Sequence, residues 1–446
     1  MKEKTKIGFV SLGCPKNQLD TEVMLHDLME AGYEITGEDI DADIIIVNTC
    51  AFIESAKQES IDNILDVAWL KTNGKLKGIV VTGCLAERYR SEVMSEMPEV
   101  DALLGVGSVH DIVDAVKAVE NGENYQSFKD KDTCPLGGER IVTTPEYTAY
   151  LKIAEGCDNR CTYCAIPNIR GKYRSRLPED IVDEAKQLEK LGVRELVLVA
   201  QDTSRWGFDL SGKYELPALI REICAATNIP WIRLLYCYPD KITGELIAEI
   251  RDNPRVVKYI DLPIQHISEN VLRRMNRHGG SVAVREAVAK LRESIPGIII
   301  RTTAIVGFPG ESEEDFGELC EYIRESRFDR FGAFTYSREE GTPAADFDDQ
   351  LDEQTKQDRM DKIMSIQLEI VSEENEKKVG SEFDVICEGF DAVSEAYFGR
   401  SYADAPEIDG KIYFTSGHKI AEGQFVKVKI TETLDYDLVG EVVSQS

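Results

Sequence analysis

Short apolar runs that alternate with helical stretches dictate the architecture of this 446-residue chain. Residues 6–12, 43–48 and 77–82 read as strands, with helices near 20–31, from about Ser55, and over 87–96. A strand that is apolar on both faces belongs inside a parallel sheet covered by helices on each side. The first part is therefore expected to be an open parallel sheet with helices on both faces. Six more strand candidates repeat the alternation: 150–154, 195–200, 231–237, 257–262, 298–305 and 331–336. Helical patterns fill the gaps, such as 178–191, where Pro178 suits a first turn. Six β-α units predict a partial (β/α)6 barrel whose site lies at the C-terminal strand ends. Five short runs follow, 383–387, 397–402, 411–414, 425–431 and 438–443, and predict a small antiparallel, OB-like β-barrel. The division expected is 1–120, a polar linker over 121–142, 143–375, and 376–446. That agrees with a chain too long for one hydrophobic core.

Acidic side chains outnumber basic ones by 81 to 52, for a net charge of −29. The last 71 residues carry fourteen acidic and seven basic groups. Such a surface repels nucleic-acid backbones and attracts basic proteins. No apolar run approaches the ~18 residues of a membrane span, and residues 7–12 are too short for a signal-peptide core, so a cytoplasmic protein is expected. Eleven cysteines are many for a reducing compartment, and an odd count argues against a disulfide framework. Metal binding explains some of them. Cys134, Cys224, Cys237, Cys320 and Cys387 share no spacing and read as small apolar residues.

The strongest chemical signal is Glu155-Gly156-Cys157-Asp158-Asn159-Arg160-Cys161-Thr162-Tyr163-Cys164, a C-x3-C-x2-C loop directly after a strand. Three thiolates in so tight a loop hold three corners of a [4Fe–4S] cube and leave one iron open to a small molecule, here the amino and carboxylate groups of S-adenosylmethionine. Structural zinc favours paired C-x2-4-C half-sites with four ligands, and bacterial ferredoxins use a different spacing. A second signal is positional. Cys14, Cys50 and Cys84 each end a strand of the first sheet, 36 and 34 residues apart. Strand ends of an open parallel sheet line one edge, so the three thiols either converge as a second cluster site or are buried small residues.

Taken together, Ser11-Leu12-Gly13-Cys14-Pro15-Lys16-Asn17, Val47-Asn48-Thr49-Cys50, Thr82-Gly83-Cys84 and the 157–164 loop resemble the methylthiotransferase family of radical-SAM enzymes along essentially the whole chain. The tail resembles their TRAM domain. Pro263-Ile264-Gln265-His266, 272–277 and Ala403-Asp404-Ala405-Pro406-Glu407-Ile408-Asp409-Gly410 resemble the ribosomal-protein branch. The resemblance implies that Cys14, Cys50 and Cys84 hold an auxiliary [4Fe–4S] cluster carrying the sulfur, and that Cys157, Cys161 and Cys164 hold the cluster that cleaves S-adenosyl-L-methionine. One S-adenosylmethionine would methylate the sulfur. A second would yield the radical that takes hydrogen from the β-carbon of an aspartate in small-subunit ribosomal protein S-twelve. An unactivated C–H bond does not yield to acid or base near neutral pH.

The implied partners are that ribosomal protein, met through the TRAM domain, and an electron donor such as flavodoxin or ferredoxin; a monomer is expected. A tRNA methylthiotransferase is the nearest rival, but its tail should be basic. A non-catalytic iron–sulfur carrier would need no six-strand domain. Tyr163 resembles the aromatic whose backbone faces the adenine, and Phe308 lies in a loop, Val306-Gly307-Phe308-Pro309-Gly310-Glu311, resembling one that borders the cofactor. Gln201 and Asp202 end the second barrel strand, where site residues gather, though Asp202 also suits a loop cap. Arg301 suits either a cofactor carboxylate or a structural ion pair. His266 carries no catalytic expectation. Thr21, where the family favours Ser, and Cys237 are the departures noted.

Overall fold

The computed structural model describes residues 4–443. The chain forms two compact units. One comprises Met1–Thr144, Ala154–Arg176 and Ser337–Ala345; the other comprises Pro145–Ile153, Leu177–Tyr336 and Asp346–Ser446.

The first unit contains strands β1 (Lys6–Ser11), β2 (Glu34–Ile35), β3 (Ile44–Thr49), β4 (Gly78–Gly83), β5 (Ala102–Leu104) and β6 (Tyr125–Ser127). They form one sheet in the order β2-β1-β3-β4-β5-β6, parallel throughout. Helices α1 (Pro15–Glu30), α2 (Glu54–Asn73), α3 (Cys84–Arg88), α4 (Arg90–Glu96) and α5 (Ile112–Glu120) connect them. Successive side chains of a strand point to opposite faces. Ile45, Val47, Ile79, Val81 and Leu103 accordingly meet Ile64, Val67 and Ala68 of α2. Ile44, Ile46, Val80, Ala102 and Leu104 meet Met24 and Leu28 of α1 and Ile112, Ala115 and Val116 of α5. Both faces are covered, as the continuous apolar runs require. β2, β5 and β6 were not expected, and β6 falls in the stretch read as a linker. The helix expected over 87–96 is two short ones, α3 and α4, meeting at Tyr89 (φ −124°, ψ 45°).

The chain continues through β7 (Thr148–Lys152), β8 (Ala154–Glu155), α6 (Ile166–Arg170) and β9 (Arg174–Ser175). β8, α6 and β9 belong to the first unit, where Ala165 and Ile169 join the core on the α2 face.

In the second unit β7 is followed by β10 (Glu195–Val199), β11 (Trp231–Leu234), β12 (Val256–Asp261), β13 (Ile299–Val306) and β14 (Arg330–Thr335). All six pair in parallel and in sequential order, which is the partial barrel expected. A 24-residue helix, Glu353–Glu376, then leads to β15 (Glu382–Asp391), β16 (Ala396–Arg400), β17 (Ile412–Thr415), β18 (Phe425–Leu434) and β19 (Asp437–Val442). These close into a barrel in the order β15-β16-β17-β19-β18. It is antiparallel except where β17 and β19 pair in parallel. Along β18, Val426, Val428 and Ile430 point inward while Lys427, Lys429 and Thr431 are exposed.

Residues 400–409 dock on the parallel sheet through charge. Arg400 donates to Glu195 at 2.6 Å, Arg330 pairs with Asp404, and Tyr259 Oη donates to Asp409 at 2.7 Å. Arg233 donates to the Tyr402 carbonyl at 2.8 Å. Among the described residues no helix is long and apolar enough to cross a membrane.

Candidate functional site

Cys50 and Cys84 sit immediately beyond β3 and β4, and Cys14 three residues beyond the end of β1; the three strands are adjacent. Cys14 caps α1, accepting at its carbonyl from the amides of Asn17 and Gln18, with Pro15 at the first helical position. Two glycines let the strand ends close up. Gly13 (φ 92°) lies so near Cys50 that a Cβ there would stand 3.0 Å from its Sγ. Gly83 (φ 91°) is against β3, and a Cβ would meet the Thr49 carbonyl at 2.5 Å. Gly83→Ala therefore combines a left-handed backbone with a backbone clash. It is expected to cost about 1–3 kcal/mol, read as a lower urea midpoint.

The remaining motif residues tie these ends together. Asn17 Nδ2 donates to the carbonyls of Leu12 (2.8 Å) and Thr49 (3.0 Å). Asn48 Nδ2 donates to the Asn17 carbonyl and to Thr21 Oγ1, both at 2.8 Å. Thr21 Oγ1 also bonds Ser11 Oγ at 2.9 Å, so the hydroxyl, whether from Ser or Thr, is what the position uses. Ser60 Oγ accepts from the Cys50 amide and donates to its carbonyl.

The three thiols sense one another electrostatically. Burial pushes the Cys84 thiol up to about 12, opposed by Arg170 and reinforced by Cys50 and Cys14. Burial also raises Cys50. Cys14 is half-buried; desolvation would raise its thiol, but Lys16 and Arg170 outweigh that and hold it below the ordinary value. The order β1-β3-β4 sets the three strand ends side by side at one edge of the sheet, with Gly13 against Cys50 and Arg170 against Cys84.

The second set lies in a loop whose neck is closed by antiparallel pairing of β8 with β9, Ala154 to Ser175 and Glu155 to Arg174. The Cys157 amide donates to the Gly171 carbonyl (3.1 Å), the Cys164 amide to the Cys161 carbonyl (3.0 Å), and Asn159 Nδ2 lies 3.5 Å from Cys157 Sγ. Cys157, Cys161 and Cys164 share the wall of one cavity of about 410 Å³ with Lys131, Arg160 and Lys172. A cubane takes each thiolate on a different iron. Its ligands stand farther apart than those of a single ion, and among the described residues no three His, Cys, Asp or Glu groups close on one ion. Two sets of three soft thiol donors fit iron–sulfur clusters.

The other candidates fall as follows. Tyr163 is half-buried within the cysteine loop. Gln201 lies two residues beyond β10, half-buried, beside Asp202, whose carboxylate is buried against Lys241 Nζ (3.0 Å) and accepts from Ser204 Oγ (2.8 Å). Arg301 pairs with Asp261 at 2.8 Å and faces Asp409 at 3.7 Å. The Phe308 ring is fully buried, edge-on to Tyr336 and Phe347 (centroids 5.3 and 6.2 Å apart). His266 is buried and accepts from the Ser268 amide. Cys237 is fully buried and its thiol is pushed far up by burial, so it is shielded. Sequence reasoning passed over Arg170, whose guanidinium reaches Cys84, Asn17, Asp20 and Glu155. Its only sequence signal was its place at the end of the helix after the cysteine loop.

Comparison with known proteins agrees with this construction. Residues 6–105 match Uncharacterized protein family UPF0004, residues 151–323 the Radical SAM superfamily, and residues 379–443 the TRAM domain. Among solved structures, the radical S-adenosylmethionine methyltransferase TsrM from Kitasatospora setae has a TM-score of 0.56 at 14% identity, covering 77% of this chain and 74% of that one. The S-adenosylmethionine radical enzyme OxsB has a TM-score of 0.52 at 15% identity, covering 83% and 56%. At such identities the likeness is one of fold. Ribosomal protein uS12 methylthiotransferase RimO of Desulforamulus reducens is 50% identical over 98% of this chain and 99% of its own length. The protein of that name from Clostridium perfringens is 51% identical over 99% of each. With half of its residues shared over nearly its full length, the chain belongs to the RimO family of ribosomal protein uS12 methylthiotransferases.

Proposed function

We propose that this protein is a radical-SAM methylthiotransferase that adds a methylthio group to the β-carbon of an aspartate in ribosomal protein uS12. The observation that carries this reading is the pair of three-cysteine sets held in one compact unit. Cys157, Cys161 and Cys164 would hold one [4Fe–4S] cluster, and Cys14, Cys50 and Cys84 the other. When bound, the first supplies the electron that cleaves S-adenosylmethionine, and the second supplies the sulfur.

The chain's own part is positioning and exclusion of water. The β8/β9 neck fixes the spacing of the loop thiols, and burial of Cys157 and Cys161 keeps solvent from them. The Asn48 and Asn17 amides lock the strand ends that present Cys14 and Cys50. Tyr163, inside the cysteine loop, is the residue of this unit we assign to S-adenosylmethionine. A donor of the flavodoxin or ferredoxin class would deliver the electron. The acidic tail suits a basic ribosomal protein better than tRNA, by charge complementarity.

The test is anaerobic reconstitution with iron and sulfide, followed by incubation with reductant, S-adenosylmethionine and uS12. Mass spectrometry should find the methylthio group on one aspartate and 5′-deoxyadenosine in solution. Tighter gel-shift binding of tRNA than of uS12 would reassign the substrate, and absence of 5′-deoxyadenosine would remove the radical chemistry altogether.

A further inference from the structure

Arg170 is the last residue of α6, and its side chain is 3% exposed. Nη1 donates to Asp20 Oδ2 at 2.6 Å and lies 3.4 Å from Glu155 Oε2. Nη2 donates to Asn17 Oδ1 at 2.7 Å and lies 3.6 Å from Cys84 Sγ. Asn17 and Asp20 sit on α1, the helix that Cys14 caps; Glu155 stands two residues before Cys157. One guanidinium thus bridges the elements that carry both cysteine sets. Arginine does not lose its proton in proteins, and its planar fork serves several acceptors at once. It is a fixed cation beside the thiols.

We infer that Arg170 is a positioning residue that braces Cys84 and sets the reduction potential of the centre at Cys14, Cys50 and Cys84 above the value the same cysteines would give without it. The inference rests on the proposed assignment of a cluster to those cysteines. Reduction adds one electron, supplied by an external reductant, and so one negative charge. A permanent cation with an N–H directed at a ligand sulfur stabilises the reduced form more than the oxidised form, because hydrogen bonds to sulfur and local charge are among the factors that set cluster potentials. No proton needs to follow the electron, since Arg170 is charged in both states. Asp20 and Glu155 offset part of that charge, which gives the mechanism a second signature of opposite sign.

The measurement is the midpoint potential of this centre by EPR-monitored reduction. The background is the full-length chain carrying Cys157→Ala, Cys161→Ala and Cys164→Ala, so that a single cluster is read. In Arg170→Gln the reduced-to-oxidised ratio at fixed potential should fall about tenfold, a shift of about 59 mV downward for one electron. Asp20→Asn should move the potential upward, because the guanidinium is then less neutralised. Arg170→Lys, which keeps the charge but loses the fork, should fall between the parent and Arg170→Gln. An unchanged potential in Arg170→Gln with its iron retained overturns the inference. If Arg170→Gln does not retain iron, Asp20→Asn and Arg170→Lys decide, and parental potentials in both overturn it. A background chain that binds no iron at all sinks the cluster assignment itself, which is a different and recognisable outcome.

Discussion

Cys14→Ala protein, reconstituted anaerobically, should hold about four irons where the parent holds about eight, should still release 5′-deoxyadenosine, and should leave uS12 unmodified. Cys157→Ala should also hold about four irons but should release no 5′-deoxyadenosine. The two losses separate because the two sets hang on different elements. Cys14, Cys50 and Cys84 depend on the ends of β1, β3 and β4 and on the asparagine bonds that tie them. Cys157, Cys161 and Cys164 depend on a loop closed by β8 and β9. Removing one ligand from a three-thiolate set leaves two, too few to hold a cube firmly, while the other set keeps all of its ligands. Iron counting with quantification of 5′-deoxyadenosine and of modified uS12 checks all of these points. Loss of S-adenosylmethionine cleavage in iron-replete Cys14→Ala would show that the roles of the two sets are not divided in this way.

What the sequence disclosed follows from the range of each interaction. Buried parallel strands such as β3 and β4 announce themselves through unbroken apolar runs, Ile44-Ile45-Ile46-Val47 and Ile79-Val80-Val81, and the cysteine loop because its three ligands lie within eight residues. Cys14, Cys50 and Cys84 were placed by topology alone, one at each strand end, since the order of a parallel sheet brings them together without any local signal. β5 and β6 were hidden because three residues are too few to show a period, and Tyr125-Gln126-Ser127 is not apolar. The approach of Asp409 to Arg301 left no signal either, since the two lie more than a hundred residues apart. Arg170 was missed for the same reason, as its partners Asn17, Asp20 and Cys84 lie far upstream. A buried charge is defined by its partners, and partners of high sequence separation leave no pattern along the chain.

Glu195→Gln is expected to destabilise the second unit by about 3–5 kcal/mol at pH 7, the usual consequence of removing one partner from a buried ion pair. Glu195, at the start of β10, is fully buried between two equally buried arginines. Arg233 Nε donates to one oxygen at 2.8 Å and Arg400 Nη2 to the other at 2.6 Å. Burial works against its ionisation, but Arg400 and Arg233 outweigh burial and hold the carboxyl at about 2 rather than 4.5. A shift of that size is worth about 3 kcal/mol, consistent with the mutational figure. The folded value lies below the unfolded one, so this stabilisation is fully present above about pH 5 and is lost as the pH falls toward 2. Other carboxylates weaken over the same range, so the informative quantity is the gap between parent and Glu195→Gln. It should be widest at pH 7 and narrow steadily below pH 5. Urea unfolding of the iron-free chain, followed by Trp231 fluorescence with Trp69 and Trp206 replaced by Phe, reads it at the right place, because Trp231 stacks edge-on against Phe425 of the C-terminal barrel at 4.7 Å. Arg400 lies in that barrel and Glu195 in the parallel sheet, so the same bond joins the two folds. A gap that stayed constant from pH 7 to pH 3 would mean that the arginines do not hold Glu195 ionised and that the barrel docks by apolar contact alone.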